Sequence, residues 1–294
     1  MDHSYWIFGA LLASALLFVG CSPLGTLNFV LADEDGVSTT EEIVYGPEPR
    51  HRLDIHTPAQ SATEKRPAVV FFYGGSWRNG DRAQYRFVGQ ALARRGIVAV
   101  VPDYRLYPQV KFPDFMHDAA KAVRWVVENA DKLGVDAGRI SIAGHSAGAH
   151  LAALLALDPH YLNAEGIRPT AIASVIGISG PYAFNPLTIN STRPVFAGTA
   201  DIDNARLAAL AATYHDADKP NLPAFTLLHG AADTTVLPKN SERLASALRA
   251  AHLRVRHTVY PDIGHYKILL AFYPALQSTA PVLEDLVAAV NAVP

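Results

Sequence analysis

The 294-residue chain has a single cysteine, Cys21, so no disulfide can form within it. Charge is balanced as well: 25 Lys and Arg face 27 Asp and Glu, a net charge of −2. There is no basic field to hold a phosphate backbone, which argues against nucleic acid as a partner and against adhesion to anionic lipid by charge alone. None of the twelve histidines stands in an H-E-x-x-H or other zinc-ligand spacing, so no metal is expected. The sequence shows no internal repeat, heptad run or low-complexity tract.

Long apolar stretches are absent except near the N-terminus, where residues 7–20 are apolar but for Ser14. That length is short for a membrane span and suits the apolar region of a signal peptide. It runs into Phe18-Val19-Gly20-Cys21-Ser22-Pro23, which resembles a bacterial lipobox. The resemblance implies a signal peptide over 1–20, a lipidated Cys21 as mature N-terminus and an exported protein held to the membrane only by that anchor. Lipidation would also account for the unpaired thiol. A polar tether over 21–40 and a folded domain over 41–294 would follow. Cleavage after Val30-Leu31-Ala32 would instead give a soluble exported protein, and an uncleaved anchor is the third arrangement.

With half its residues apolar, the remainder can bury one large core. Glu42–Tyr45 and Arg52–His56 read as a short antiparallel edge pair. Ala68–Phe72, Ile97–Val101, Ile172–Ile178 and Ala224–Leu228 are continuous apolar runs, the pattern of parallel strands covered on both faces. Val255–Tyr260 completes the series. Helical spacing recurs between them, over Met116–Val127, Asn240–Ala251 and Val282–Val293. The alternation predicts an α/β fold: a mostly parallel central sheet with helices on both faces. Residues 181–220 interrupt it and read as a small cap insertion with a short helix over Asn204–Tyr214.

Gly144-His145-Ser146-Ala147-Gly148 lies between an alternating run, Arg139–Ala143, and an Ala/Leu-rich helix, Ala149–Leu157. Strand, G-x-S-x-G and helix in that order make a nucleophile elbow. The turn leaves no room for side chains beside the serine, lifts its hydroxyl to the sheet edge and aims the Ala147 N–H at a developing oxyanion. His145 fills the variable slot of the motif and is expected beside the substrate pocket.

A serine nucleophile needs a base and an acid, in the chain order Ser, Asp, His. Asp233 follows the strand ending near Leu228; Asp216 and Asp218 precede that strand, and Asp262 is too near the histidine to orient it. His265, directly after Val255–Tyr260, is the expected base. His229 ends a strand and is expected to bond backbone. The loop Tyr73-Gly74-Gly75-Ser76-Trp77 follows Ala68–Phe72, and its consecutive glycines can turn backbone N–H groups inward. Trp77 is expected either beside the acyl pocket or in the core.

Three ordered motifs, Tyr73–Trp77, Pro102-Asp103-Tyr104-Arg105-Leu106 and Gly144–Gly148, together resemble the α/β-hydrolase esterases of the hormone-sensitive-lipase type. Within them the likeness is to the branch holding feruloyl/acetylxylan esterase-like proteins, kynurenine formamidases and isoprenylcysteine methylesterases. It spans Glu41–Pro294 and implies an α/β-hydrolase fold. It also implies an oxyanion hole built from the N–H groups of Gly75, Ser76 and Ala147, and a structural ion pair between Arg105 and Asp118. Tyr73 stands where the family usually has a loop-bracing His.

The expected activity is a serine carboxylesterase, without cofactor, acting through an acyl-enzyme on small to medium acyl esters, the substrate being a small-molecule or carbohydrate-linked ester. An amidase, formamidase or small peptidase on the same residues is the alternative enzyme. A non-catalytic hydrolase-like binding module is the alternative outside enzymes.

Overall fold

The computed structural model describes residues 35–198 and 222–292. The expected signal segment, Cys21, the helix at Asn204–Tyr214, Asp216 and Asp218 lie outside the described residues.

Among the described residues eight strands form one sheet: β1 Val37–Val44, β2 Arg52–Pro58, β3 Arg66–Phe72, β4 Val98–Pro102, β5 Val135–His145, β6 Ser174–Ile178, β7 Ala224–Gly230 and β8 Val255–Tyr260. Their order is β1-β2-β4-β3-β5-β6-β7-β8. From β4 to β8 all neighbours are parallel, while β1–β2 and β2–β4 are antiparallel. The edge pair is thus joined to the main sheet through β2. β1 begins at Val37, so residues 37–40, expected as tether, pair with Thr57, His56, Ile55 and Pro58 of β2.

Seven α-helices accompany the strands among the described residues: α1 Arg86–Arg94, α2 Asp114–Asn129, α3 Ala147–Leu157, α4 Pro159–Ala164, α5 Arg193–Phe196, α6 Lys239–Ala250 and α7 Val282–Asn291. Every residue of α3 is buried, because the helix lies between the sheet and both α2 and α4. That explains why its sequence is Ala, Leu and Gly almost throughout, with no polar stripe. α2 does carry one: Phe115, Met116, Ala119, Ala120, Val123 and Val126 face the core. α1 and α7 pack together, α1 against β2 and β4 and α7 against β3, β6 and β7. None of the helices among the described residues is long and apolar enough to cross a membrane.

The strand order fixes where the site must be. From β3 the chain runs outward to β4, then crosses back to β5 on the other side of β3. Connections diverging from adjacent parallel strands leave a crevice at their carboxyl ends. The loop after β3 is Tyr73–Trp77 and the turn after β5 is Ser146, so both flank that crevice.

Candidate active site

Ser146 sits between β5 and α3 at φ 54°, ψ −120°, a region that costs a non-glycine residue about 1–3 kcal/mol. The turn is clamped from below: the Ser146 N–H donates to the Ile178 carbonyl of β6 at 2.9 Å. Gly148 must be glycine, since a Cβ there would stand 2.5 Å from the carbonyl carbon of Phe72 and nearer still to its oxygen. The close approach of α3 to β3 therefore depends on this residue having no side chain.

The loops after β7 and β8 are laced to each other. Ala231 N–H donates to Tyr260 O at 2.8 Å and Ala232 N–H to Ile263 O at 3.0 Å. This brings Asp233 and His265 side by side across 32 residues of chain and sets both beside Ser146. His265 Nδ1–H donates to Asp233 Oδ2 at 2.7 Å, and Ser146 Oγ–H donates to His265 Nε2 at 2.9 Å. The tautomer follows from the carboxylate, which can only accept. Asp233 Oδ1 takes the N–H groups of Thr235 at 2.9 Å and Val236 at 2.8 Å. Burial pushes the Asp233 carboxyl pKa upward, but hydrogen bonds from His229 and His265 outweigh it and hold the group well below the usual carboxylate range. Asp262, the nearer acid in sequence, is exposed, and its carbonyl accepts from Lys267 Nζ.

On the other side of Ser146, Gly75, Ser76 and Trp77 have φ of 128°, 56° and 58°. Three successive positive φ values make a concave backbone that can cup an anion. No hydrogen bond among the described residues uses the N–H of Gly75, Ser76 or Ala147. Gly75 O accepts from the N–H of both Arg78 and Asn79 at 3.0 Å, closing the loop on itself.

Tyr73 anchors that loop. Its ring stacks on Tyr104 with centroids 4.7 Å apart, its carbonyl accepts from Tyr104 Oη at 2.9 Å, and its own Oη accepts from Arg50 Nη2 at 2.7 Å. Arg50 also donates to the carbonyls of Gly80 and Tyr104. The hydroxyl thus ties the loop's start and end to one guanidinium, a bracing role that the sequence alone left open.

His145 borders the cavity, but both its ring nitrogens are occupied. Tyr85 Oη–H donates to Nδ1 at 3.1 Å, and Nε2–H donates to the His265 carbonyl at 3.0 Å. Tyr85 Oη in turn accepts from the Gly74 N–H at 3.2 Å. Burial drives the His145 pKa down to about 3, so the ring is neutral. It is a brace joining the glycine loop, the elbow and the loop of His265. Tyr85 has no signal in the sequence that would have revealed this. His229 bonds backbone as expected, Nε2 to the Val236 carbonyl at 2.8 Å, but the same nitrogen also lies 3.3 Å from Asp233 Oδ2, which the sequence did not foreshadow.

Trp77 lies in the core and also reaches the cavity. It is 2 % exposed, stacked on Phe184 and edge-on to Phe196 and His150, yet it lines the same cavity as Ser146. Phe184 and Phe196 come from the expected cap segment, which Arg78 also grips through the Ser191 carbonyl at 2.8 Å. Two lobes open from Ser146. One, about 410 Å³, is walled by Trp77, Phe184, Ile189, Val236 and Leu237. The other, about 610 Å³, is walled by Tyr85, His265, Tyr266 and Leu270. Arg105, which with Asp118 lines neither lobe, meets that carboxylate through side-chain contacts of 2.7 and 2.8 Å, and its own N–H and His51 Nε2–H donate to it at 3.0 and 2.9 Å. Among the described residues no cluster of three or more His, Cys, Asp or Glu could hold a metal.

Comparison with known proteins agrees with this architecture. The chain is 28 % identical over 263 residues to a probable isoprenylcysteine alpha-carbonyl methylesterase of Oryza sativa subsp. japonica, covering 85 % of this chain and 63 % of that protein. It is 30 % identical over 240 residues to esterase LipC of Mycobacterium tuberculosis, covering 76 % and 58 % respectively. The chain thus spans about six-tenths of the length of these curated relatives. Among solved structures, the esterase 2 of Thermogutta terrifontis superposes with a TM-score of 0.67 at 26 % identity, covering 89 % of this chain and 95 % of that one. The family model described as BD-FAE matches residues 53–248, two-thirds of the sequence, and the chain belongs to that family of α/β-hydrolase esterases.

Proposed function

We propose that the protein is a serine carboxylesterase working through an acyl-enzyme. Ser146 attacks the ester carbonyl, and His265 takes its proton and passes it to the leaving alcohol. Asp233 holds the imidazole, and the N–H groups of Gly75, Ser76 and Ala147 receive the charge on oxygen. The observation that carries this reading is the unbroken hydrogen-bonded run Ser146–His265–Asp233 beside three N–H groups that nothing among the described residues occupies.

The proton's destination assigns the two lobes. The leaving oxygen must lie within reach of His265 Nε2, so the alcohol occupies the lobe walled by His265, Tyr266 and Leu270. The acyl chain then enters the lobe of Trp77, Phe184 and Val236. Both lobes have more apolar than polar wall, which favours medium-sized apolar esters over small polar ones. The expected lipid anchor at Cys21 would place the site at an envelope surface.

The test compares hydrolysis of a chromogenic acetyl ester by wild type and Ser146→Ala. Loss of the nucleophile should leave only about 10³–10⁴-fold over water. Equal rates from the two proteins would end this reading.

A further inference from the structure

Asp233 accepts three hydrogen bonds, and a fourth N–H, which has no part in the catalytic scheme, lies against the same carboxylate. Thr235 and Val236 N–H bind Oδ1, and His265 Nδ1–H binds Oδ2. The fourth N–H belongs to His229 Nε2, which is hydrogen-bonded to the Val236 carbonyl at 2.8 Å and lies 3.3 Å from Asp233 Oδ2. Both oxygens can only accept, so Nε2 carries the hydrogen. The opposite nitrogen, Nδ1, is buried with no partner among the described residues.

A histidine kept solely to fill this volume would be a poor choice. A buried nitrogen without a partner costs stability that an apolar side chain would avoid. Yet the polar edge of this ring is spent on two atoms of one short loop, residues 233–236. Those two atoms matter unequally. Holding the Val236 carbonyl fixes the turn whose N–H groups clasp Asp233 Oδ1. Sharing Oδ2 with His265 draws negative charge away from the oxygen that the second imidazole uses.

We propose that His229 is a positioning residue: it fixes the Asp233 carboxylate and tempers how strongly that carboxylate draws a proton onto His265. The inference rests on the roles proposed for Asp233 and His265. Removing the His229 donor concentrates charge on Oδ2 and stabilises the His265 imidazolium. Because catalysis needs His265 neutral, the acid limb of the rate profile then moves to higher pH. The other titratable groups bearing on His229 are His145 at the end of β5 and His257 on β8. Burial lowers the pKa of both, and both stay in place in the variants below.

The experiment uses the whole protein, with His229→Leu to remove the donor and His229→Gln to restore an N–H near the position of Nε2. His229→Phe replaces the leucine variant if that one does not fold. Ester hydrolysis is followed from pH 5 to 9, and the His265 Nδ1 proton is followed by NMR, assigned by its loss in His265→Asn. His229→Leu should lower kcat about tenfold and raise the acid limb by about half a pH unit. Its low-field proton should shift and its titration move the same way, and His229→Gln should lie near wild type in all three. An unchanged acid limb and proton in His229→Leu, with only a lower melting temperature, would overturn the inference. So would a glutamine variant as impaired as the leucine one. Absence of ester turnover in wild type would instead bring down the proposed function, and the NMR titration alone would then decide for or against His229.

Discussion

Gly75→Ala is a sharp perturbation because two features of the structure forbid the new methyl group. The residue sits at φ 128°, where L side chains are strained by about 1–3 kcal/mol. Its Cβ would also stand 2.7 Å from the Asn79 carbonyl carbon and closer still to the oxygen, and that atom belongs to backbone. The Asn79 carbonyl cannot swing aside without opening the turn in which Arg78 and Asn79 N–H groups bind Gly75 O. Opening it rotates the peptides that present the N–H groups of Gly75 and Ser76. One oxyanion donor is worth about 3 kcal/mol, and at about 1.4 kcal/mol per decade kcat should fall about 10²-fold. KM should change little, since the donor binds charge that exists only in the transition state. Steady-state kinetics on p-nitrophenyl acetate, with thermal melting to confirm folding, measures both. A folded Gly75→Ala protein with kcat within threefold of wild type would refute this account of the loop.

Leu270→Trp should raise KM at least tenfold for acetate esters of bulky alcohols while sparing methyl and ethyl esters of longer acids, and the reverse selectivity in a paired substrate series would invert the lobe assignment. Asp118 is pressed upward by burial, but hydrogen bonds from His51 and Arg105 carry its pKa down to about 2. The stability it supplies is therefore full above its ordinary value of about 4 and lost as pH falls toward 2. Asp118→Asn should cost about 2 kcal/mol in urea unfolding at pH 7 with kcat nearly unchanged, and a large loss of kcat in the folded variant would give this residue a role it lacks here. Burial lowers the pKa of three neutral histidines, His56 and His150 to about 4 and His145 to about 3. Unfolding lets each gain a proton below about 6.5, so each should remove about 1.4 kcal/mol of stability per pH unit as pH falls below that value. Urea unfolding free energies that stay flat from pH 7 to 5 would contradict it.

Much of this was legible because the deciding signals are local. Ser146 is announced by glycines on both sides and by a strand and helix of opposite periodicity. Asp233 and His265 each directly follow an apolar or alternating run, and loops after adjacent parallel strands must meet at one sheet edge. The helix Arg86–Arg94 gave a weaker signal, since it opens on Arg86 and holds Gly89, where a Cβ would run into the His56 ring. The start of β1 at Val37 was hidden in a polar stretch because its partner, β2, supplies the burial. Least legible were contacts between residues far apart along the chain. Nothing near Tyr85 or Arg50 shows that one reaches His145 and the other Tyr73, and His229 carries no mark of Asp233 beyond its spacing. Sequence periodicity reports which side of an element is buried, not which side chain waits opposite.

The central claim is that the Ser146 hydroxyl becomes covalently acylated during turnover. Mixing the protein with an ester that deacylates slowly, quenching in acid within the first turnover and mapping the mass by peptide sequencing tests it directly. The account predicts one acyl group, on the peptide holding Ser146, absent from Ser146→Ala and present at reduced rate in His265→Asn. Product formed with no acyl adduct at any time, or an adduct on another residue, would contradict it.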